Sequence, residues 1–123
     1  MTQTQYISAQ FVNESQFQAA TFRYINNNFP NLRGHFFHVP NENQHKLAPL
    51  GVLSGVPDLI FLKPTIWAME LKHGKGRLSE AQIKLHAKWA ENNIRTFVVY
   101  NQAQVLEALN SMQLCSNSLN AYL

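Results

Sequence analysis

The sequence predicts a mixed α/β sandwich, with helices on both sides of one sheet. Three observations carry that prediction. Helical spacing of apolar residues recurs after Asn13, after Ser79 and from Gln102. Four short β-rich runs, "GHFFHVP", "DLIFL", "IWAMELK" and "TFVVYN", stand between those segments. Breakers mark the junctions, among them Pro30, Pro64 and the glycines of "HGKGR". The order is α, β, β, β, α, β, α.

The whole chain bounds this reading. Its 123 residues, 46 % of them hydrophobic, suit one domain. A chain of that size buries roughly two thirds of its unfolded surface. The single cysteine, Cys115, excludes an internal disulfide and fits a reducing compartment. No stretch approaches the ~20 apolar residues of a membrane span. "MTQTQYISAQ" carries neither a basic leader nor an apolar signal core, so a cytoplasmic protein is expected, with no membrane partner. The net charge of +3 permits an anionic partner without demanding one. The charge is concentrated, however. His73, Lys75, Arg77, Lys84, His86 and Lys88 face one acid, Glu80, in a single run. Such a run is either a solvated helix face or a surface for phosphates.

Residues 1–12 are polar and Gln-rich and read as a loose arm. Asn13 caps the first helix, with Gln16 at the capping-box position. Phe17, Ala20, Thr21, Tyr24 and Ile25 form its buried face, and Pro30 stops it at Phe29. Residues 34–40 read as the first strand. The long stretch 41–56 follows, with a short helical turn at 45–48; a loop of that length is functional or mobile. Strands at 58–62 and 66–72 flank a turn on Pro64. Ser79 caps the next helix, with Gln82 completing a capping box and Leu78 and Ile83 as its hydrophobic staple. Ala81, Leu85 and Trp89 line its apolar side. Residues 96–101 are the last strand, and 102–112 the last helix, anchored by Val105, Leu106 and Leu109. A single domain over 13–112 with a tail at 113–123 is expected, the tail serving as a dimer arm or fraying.

Charges at the strand ends call for an explanation, because desolvated charges are costly without partners. Glu70 and Lys72, two apart on a strand, share a face. A turn of three residues, Lys63 to Thr65, pairs Leu62 with Ile66 and sets Asp58 opposite Glu70. A five-residue turn keeps that register, whereas a four-residue turn sends Asp58 to the other face. If the acids converge they repel, and one takes up a proton unless a cation intervenes. Two carboxylates, retained waters and a substrate phosphate describe a Mg²⁺ site. The Lys72 ammonium beside it can stabilise charge developing on a phosphoryl oxygen. The plainer reading is an ion pair between Glu70 and Lys72 at the sheet edge.

Pro57-Asp58 followed by Glu70-Leu71-Lys72 resembles the PD-(D/E)xK nuclease superfamily. "GVLSGVPDLIFL", "WAMELKHGKGRLSEAQIKLHAKW" and "VVYN", in that order, resemble its VRR-NUC branch, and "HVPNE" with Asn41 also fits. The resemblance spans residues 14–101. It implies a restriction-endonuclease-like αβββαβ core, a central mixed sheet flanked by helices. It further implies Mg²⁺- or Mn²⁺-dependent hydrolysis of DNA phosphodiesters. Compact members of the branch resemble Holliday-junction resolvases that act as homodimers on branched DNA, and this chain resembles that type. The short "LKPTIW" turn departs from the pattern and leaves little room for a substrate-reading insertion.

By the same resemblance Asp58 and Glu70 are metal ligands, with the Leu71 carbonyl as a third, and Lys72 is the catalytic cation. Gln82 is either a helix cap or an active-site residue that positions phosphate or water. Glu14, in a first helical turn, either answers the helix dipole or holds water at a metal. His73, Lys75, Arg77, Lys84, Lys88 and Asn41 are candidate nucleic-acid contacts, with Arg23, Arg33 and Lys46 as weaker ones. His35 and His38, three apart on a strand, face opposite sides and make no chelate. Phe36, Phe37, Trp67 and Trp89 are expected in the core. Two other functions compete with nuclease activity: a DNA-binding module that keeps the fold without turnover, and a protein-interaction domain.

Overall fold

Short, mostly apolar strands build the sheet, and the period of two decides which side chains meet the helices on each face. The computed structural model describes residues 1–40 and 50–121, with side chains as far as residue 112. The strands are β1 (Phe36–His38), β2 (Leu59–Phe61), β3 (Trp67–Leu71) and β4 (Arg95–Val99), in spatial order β1-β2-β3-β4. The first two pairings are antiparallel, and β3 and β4 run parallel. A parallel neighbour needs a crossover, and helix α3 (Glu80–Ala90) supplies it. Helices α1 (Gln3–Ser8), α2 (Glu14–Asn28) and α4 (Gln102–Ala121) complete the chain. This is the expected mixed α/β order, and its strands are shorter than the sequence suggests. Apolar patterning marks the burial of a segment, whereas pairing ends where the neighbouring strand ends.

On one face of the sheet, rings on neighbouring strands form a row, three of them directly opposed and Phe97 diagonal to Trp67. Phe36 stacks on Phe61 at 5.2 Å and Phe61 on Trp67 at 3.9 Å, and Phe97 meets Trp67 edge-on at 5.6 Å. Phe22 of α2 packs on Phe36, and Arg95 lies 4.3 Å over Phe97. Leu59, Met69, Leu71 and Val99 extend this face into a core shared with Phe17, Tyr24 and Ile25 of α2 and with Val105, Ala108 and Leu109 of α4. The other face meets α3.

Residues 1–12 are not a loose arm. Thr2 and Gln5 make a reciprocal capping box that starts α1. The helix delivers Tyr6, fully buried, against Tyr24 at 4.4 Å, and the Tyr6 hydroxyl shares a 2.6 Å hydrogen bond with Thr21 Oγ1. One aromatic anchor in a polar run fixes the segment. At the other end, the α4 backbone continues to Ala121, past the expected end of the last helix. Phe37 is also corrected. It lies 46 % exposed on edge strand β1, while Phe36 is buried. Trp89 is half-buried. The turn expected at 45–48, and Asn41 and Lys46 with it, lie outside the described residues. Among the described residues no helix is long and apolar enough to cross a membrane.

Candidate active site

Leu59 pairs with Met69 and Phe61 with Trp67, the register of a three-residue turn. Continued by one step, that register sets Asp58 opposite Glu70. Asp58 is buried, and its position is fixed from two sides. Its carbonyl accepts the Val39 N–H at 2.9 Å, and His38 Nδ1 lies 3.0 Å from the same oxygen. Its Oδ2 accepts the Leu71 N–H at 2.8 Å. The Leu71 peptide, whose carbonyl is the expected third ligand, is thereby held against Asp58.

Along β3 the side chains alternate. Trp67, Met69 and Leu71 join the apolar core, and Glu70 and Lys72 turn to the α3 face. Glu70 is fully buried, and among the described residues neither carboxyl oxygen has a hydrogen-bond partner. Burial raises its pKa from 4.5 to about 9, and the facing Asp58 carboxyl adds to the rise through a proton within reach of both acids and through charge. The Lys72 ammonium opposes the rise, and the more distant Glu14 adds to it. Since no bond at full hydrogen-bond geometry joins the acids, the pair is a close approach of two carboxyls. Buried acceptors with no donor describe an unmet demand for positive charge, which a hard divalent cation on carboxylate oxygens would meet.

Lys72 is also buried, and its Nζ donates to Gln82 Oε1 at 3.1 Å. Gln82 makes the expected cap as well as this bond. The same oxygen accepts the Ser79 N–H at 2.8 Å, and Ser79 Oγ in turn accepts the Gln82 N–H. Gln82 therefore caps α3 and orients Lys72 at once. Ile83, one half of the expected staple, is 54 % exposed.

Glycine fixes the approach to Asp58. Gly55, at φ +86, lies so near the first turn of α3 that a Cβ there would sit 2.5 Å from the Ala81 carbonyl oxygen. Only a residue without a side chain allows that backbone contact.

Glu14 opens α2, within electrostatic reach of the pair. Partial burial and Asp58 raise its pKa, while Lys72 and His73 pull it down. Among the described residues no three His, Cys, Asp or Glu side chains form a ready-made cage, so a cation here would rely on backbone oxygen and water for its other ligands.

The basic residues divide. Lys75 and Arg77 are exposed on the loop directly after Lys72. His73 is occupied, with Nε2 2.9 Å from the Phe11 carbonyl. Lys84 pairs with Glu80 at 3.0 Å in solvent. At about 100° per residue, Lys84 and Lys88 lie on the side of α3 opposite Gln82, away from the carboxyl pair.

Sequence reasoning passed over His86. Its Nε2, also buried without a hydrogen-bond partner, lies 3.9 Å from Glu70 Oε1. Burial lowers its pKa, the Lys72 ammonium lowers it further, and Asp58 opposes them. The signal was its spacing, four residues after Gln82 and therefore on the same helix face.

No family model matches the sequence, and no curated protein matches it. A solved structure does. It is described as "VRR_NUC domain protein", with a TM-score of 0.71 and 19 % identity, over 85 % of this chain and 90 % of that one. At that identity the likeness is one of fold. The chain has the VRR-NUC nuclease-like fold.

Proposed function

We propose that the chain is a deoxyribonuclease, dependent on Mg²⁺ or Mn²⁺, that hydrolyses phosphodiester bonds in branched DNA such as Holliday junctions and works as a homodimer. One observation carries this reading above the rest. A fully buried Glu70 without hydrogen-bond partners faces Asp58, with a buried ammonium alongside. A module that only binds DNA gains nothing from acids set against a phosphate.

Asp58, Glu70 and the Leu71 carbonyl would hold the cation. When bound, the cation polarises a phosphoryl oxygen and makes water a better nucleophile. Lys72, kept in place by Gln82, stabilises the negative charge that grows on the phosphoryl oxygens in the transition state. Glu14, with its raised proton affinity, orients the attacking water from the rim. Lys75 and Arg77 contact flanking phosphates, as do His73, Lys84 and Lys88 with longer stretches of backbone; such contacts position DNA without reading its sequence. Two copies related by a two-fold axis would offer two centres to a four-way junction.

The test incubates the protein with junction, flap and linear DNA under Mg²⁺, Mn²⁺ or EDTA, beside Asp58→Ala and Lys72→Ala. The expected result is cation-dependent cutting that favours branched DNA and is lost in both variants. Cutting that survives Asp58→Ala, or no cutting with either ion, overturns the assignment. Salt-sensitive binding without turnover would leave the binding-module reading instead.

A further inference from the structure

Helix α3 meets β3 at two rungs. Gln82 reaches Lys72 and His86 reaches Glu70, so a step of four residues on the helix matches a step of two on the strand. The match is metric. Four helical residues rise about 6 Å, and two strand residues advance about 6.6 Å. The pairing also runs in opposite senses, as a crossover helix between parallel strands requires. At the first rung the hydrogen bond is made. At the second, the facing atoms are buried and among the described residues none has a hydrogen-bond partner: Glu70 Oε1 and Oε2 on one side, His86 Nε2 on the other, 3.9 Å from Oε1.

We infer that His86 is a positioning residue for Glu70, its neutral ring donating Nε2–H to one carboxylate oxygen and so setting the other to grip a divalent cation. This rests on the reading of Asp58 and Glu70 as cation ligands. The present gap is about 1 Å longer than a hydrogen bond. A carboxylate that grips a cation with one oxygen leaves the other free to accept this N–H, and a small rotation of the Glu70 carboxyl closes the gap. The donor does two things. It satisfies the lone pairs that the cation does not use, and it stops the carboxylate from rotating. Outer partners of this kind are worth about 10–100-fold in metal affinity. The geometry makes α3 a template for the centre, with one rung for the ammonium and one for the ligand.

The experiment measures Mn²⁺ binding without DNA, by electron paramagnetic resonance of the free ion, in wild type, His86→Phe, His86→Leu, His86→Gln and Glu70→Gln. Thermal melting in EDTA checks each fold. Phe keeps the ring without a donor, and Gln carries a donor in place of Nε2. We expect His86→Phe and His86→Leu to bind Mn²⁺ about tenfold or more weakly than wild type. His86→Gln should stay within about threefold of wild type, and Glu70→Gln should lose binding. Unchanged affinity in whichever of the Phe and Leu variants folds overturns the inference, as does a Gln variant as weak as they are. Failure of wild type to bind Mn²⁺, or undiminished binding by Glu70→Gln, overturns the cation-site reading itself and this inference with it.

Discussion

The two faces of the central sheet are made by the same strands and obey opposite rules. On the α2 and α4 side, rings and aliphatic chains fill the space, and the one buried polar contact described there, Tyr6 to Thr21, is hydrogen-bonded. On the α3 side, three ionisable groups, Asp58, Glu70 and Lys72, are buried together, and among the described residues the Glu70 carboxyl has no hydrogen-bond partner. A single pleat separates the two. Trp67, Met69 and Leu71 stabilise the fold, whereas Glu70 and Lys72 tax it. The difference teaches that stability and chemistry can be divided by strand period alone, with no separate domain for either.

The comparison breaks most readily on the apolar face. Trp67→Ala empties the centre of the ring row and should cost about 3–5 kcal/mol, read by denaturant unfolding. If the protein is as stable as before, the row is not its mainstay. On the other face, Lys72→Ala should slow cation-dependent cleavage roughly 10²–10³-fold, the range for a lost electrostatic stabiliser, with little loss of melting temperature. A variant that unfolds instead would make Lys72 structural.

Smaller effects sharpen the division. Gly55→Ala forces a positive φ on a residue with a side chain and drives that side chain against Ala81, a loss of about 2–3 kcal/mol. Wild-type stability in that variant would mean the close approach relaxes freely. Glu70→Gln should do the reverse in EDTA and raise stability by about 1 kcal/mol. This gain has a pH signature. Glu70 holds its proton up to about 9 in the folded chain against 4.5 ordinarily, so its folding contribution is complete below pH 4.5 and is lost as the pH rises through that window towards 9. The gap between variant and wild type therefore widens with pH, and a constant gap would deny the buried acid its role. Last, Tyr6→Phe strands the Thr21 hydroxyl and should cost about 1 kcal/mol. No change in melting would show that this hydroxyl contributes nothing to holding α1.

The charged side of the sheet was more legible in the sequence than its surroundings. The register that opposes Asp58 and Glu70 was one of the two that the Pro64 turn allows, and the Ser79–Gln82 box follows from local spacing. Both are short-range facts. His86 was not legible as a neighbour of Glu70, because that contact depends on how α3 lies along β3. Tyr6 was missed for a different reason. A lone ring in a polar segment carries no period, although Thr2 and Gln5 spelled the cap beneath it. Phe37 was placed inside because a β-rich run shows which residues are apolar and not which side of an edge strand is covered.

The contact between His73 and the Phe11 carbonyl has a consequence for how the cleft is assembled. The segment that supplies this carbonyl is itself hooked by the Gln102 side chain, whose amide donates to the Tyr6 and Ala9 carbonyls, the latter from 93 positions away in sequence. The lip next to Lys72 is thus a three-part splice of leading segment, β3 exit and α4 start. A proteolytic nick that frees either outer part would unlatch His73 without touching Asp58 or Glu70, so the rim would loosen while the buried acids kept their places.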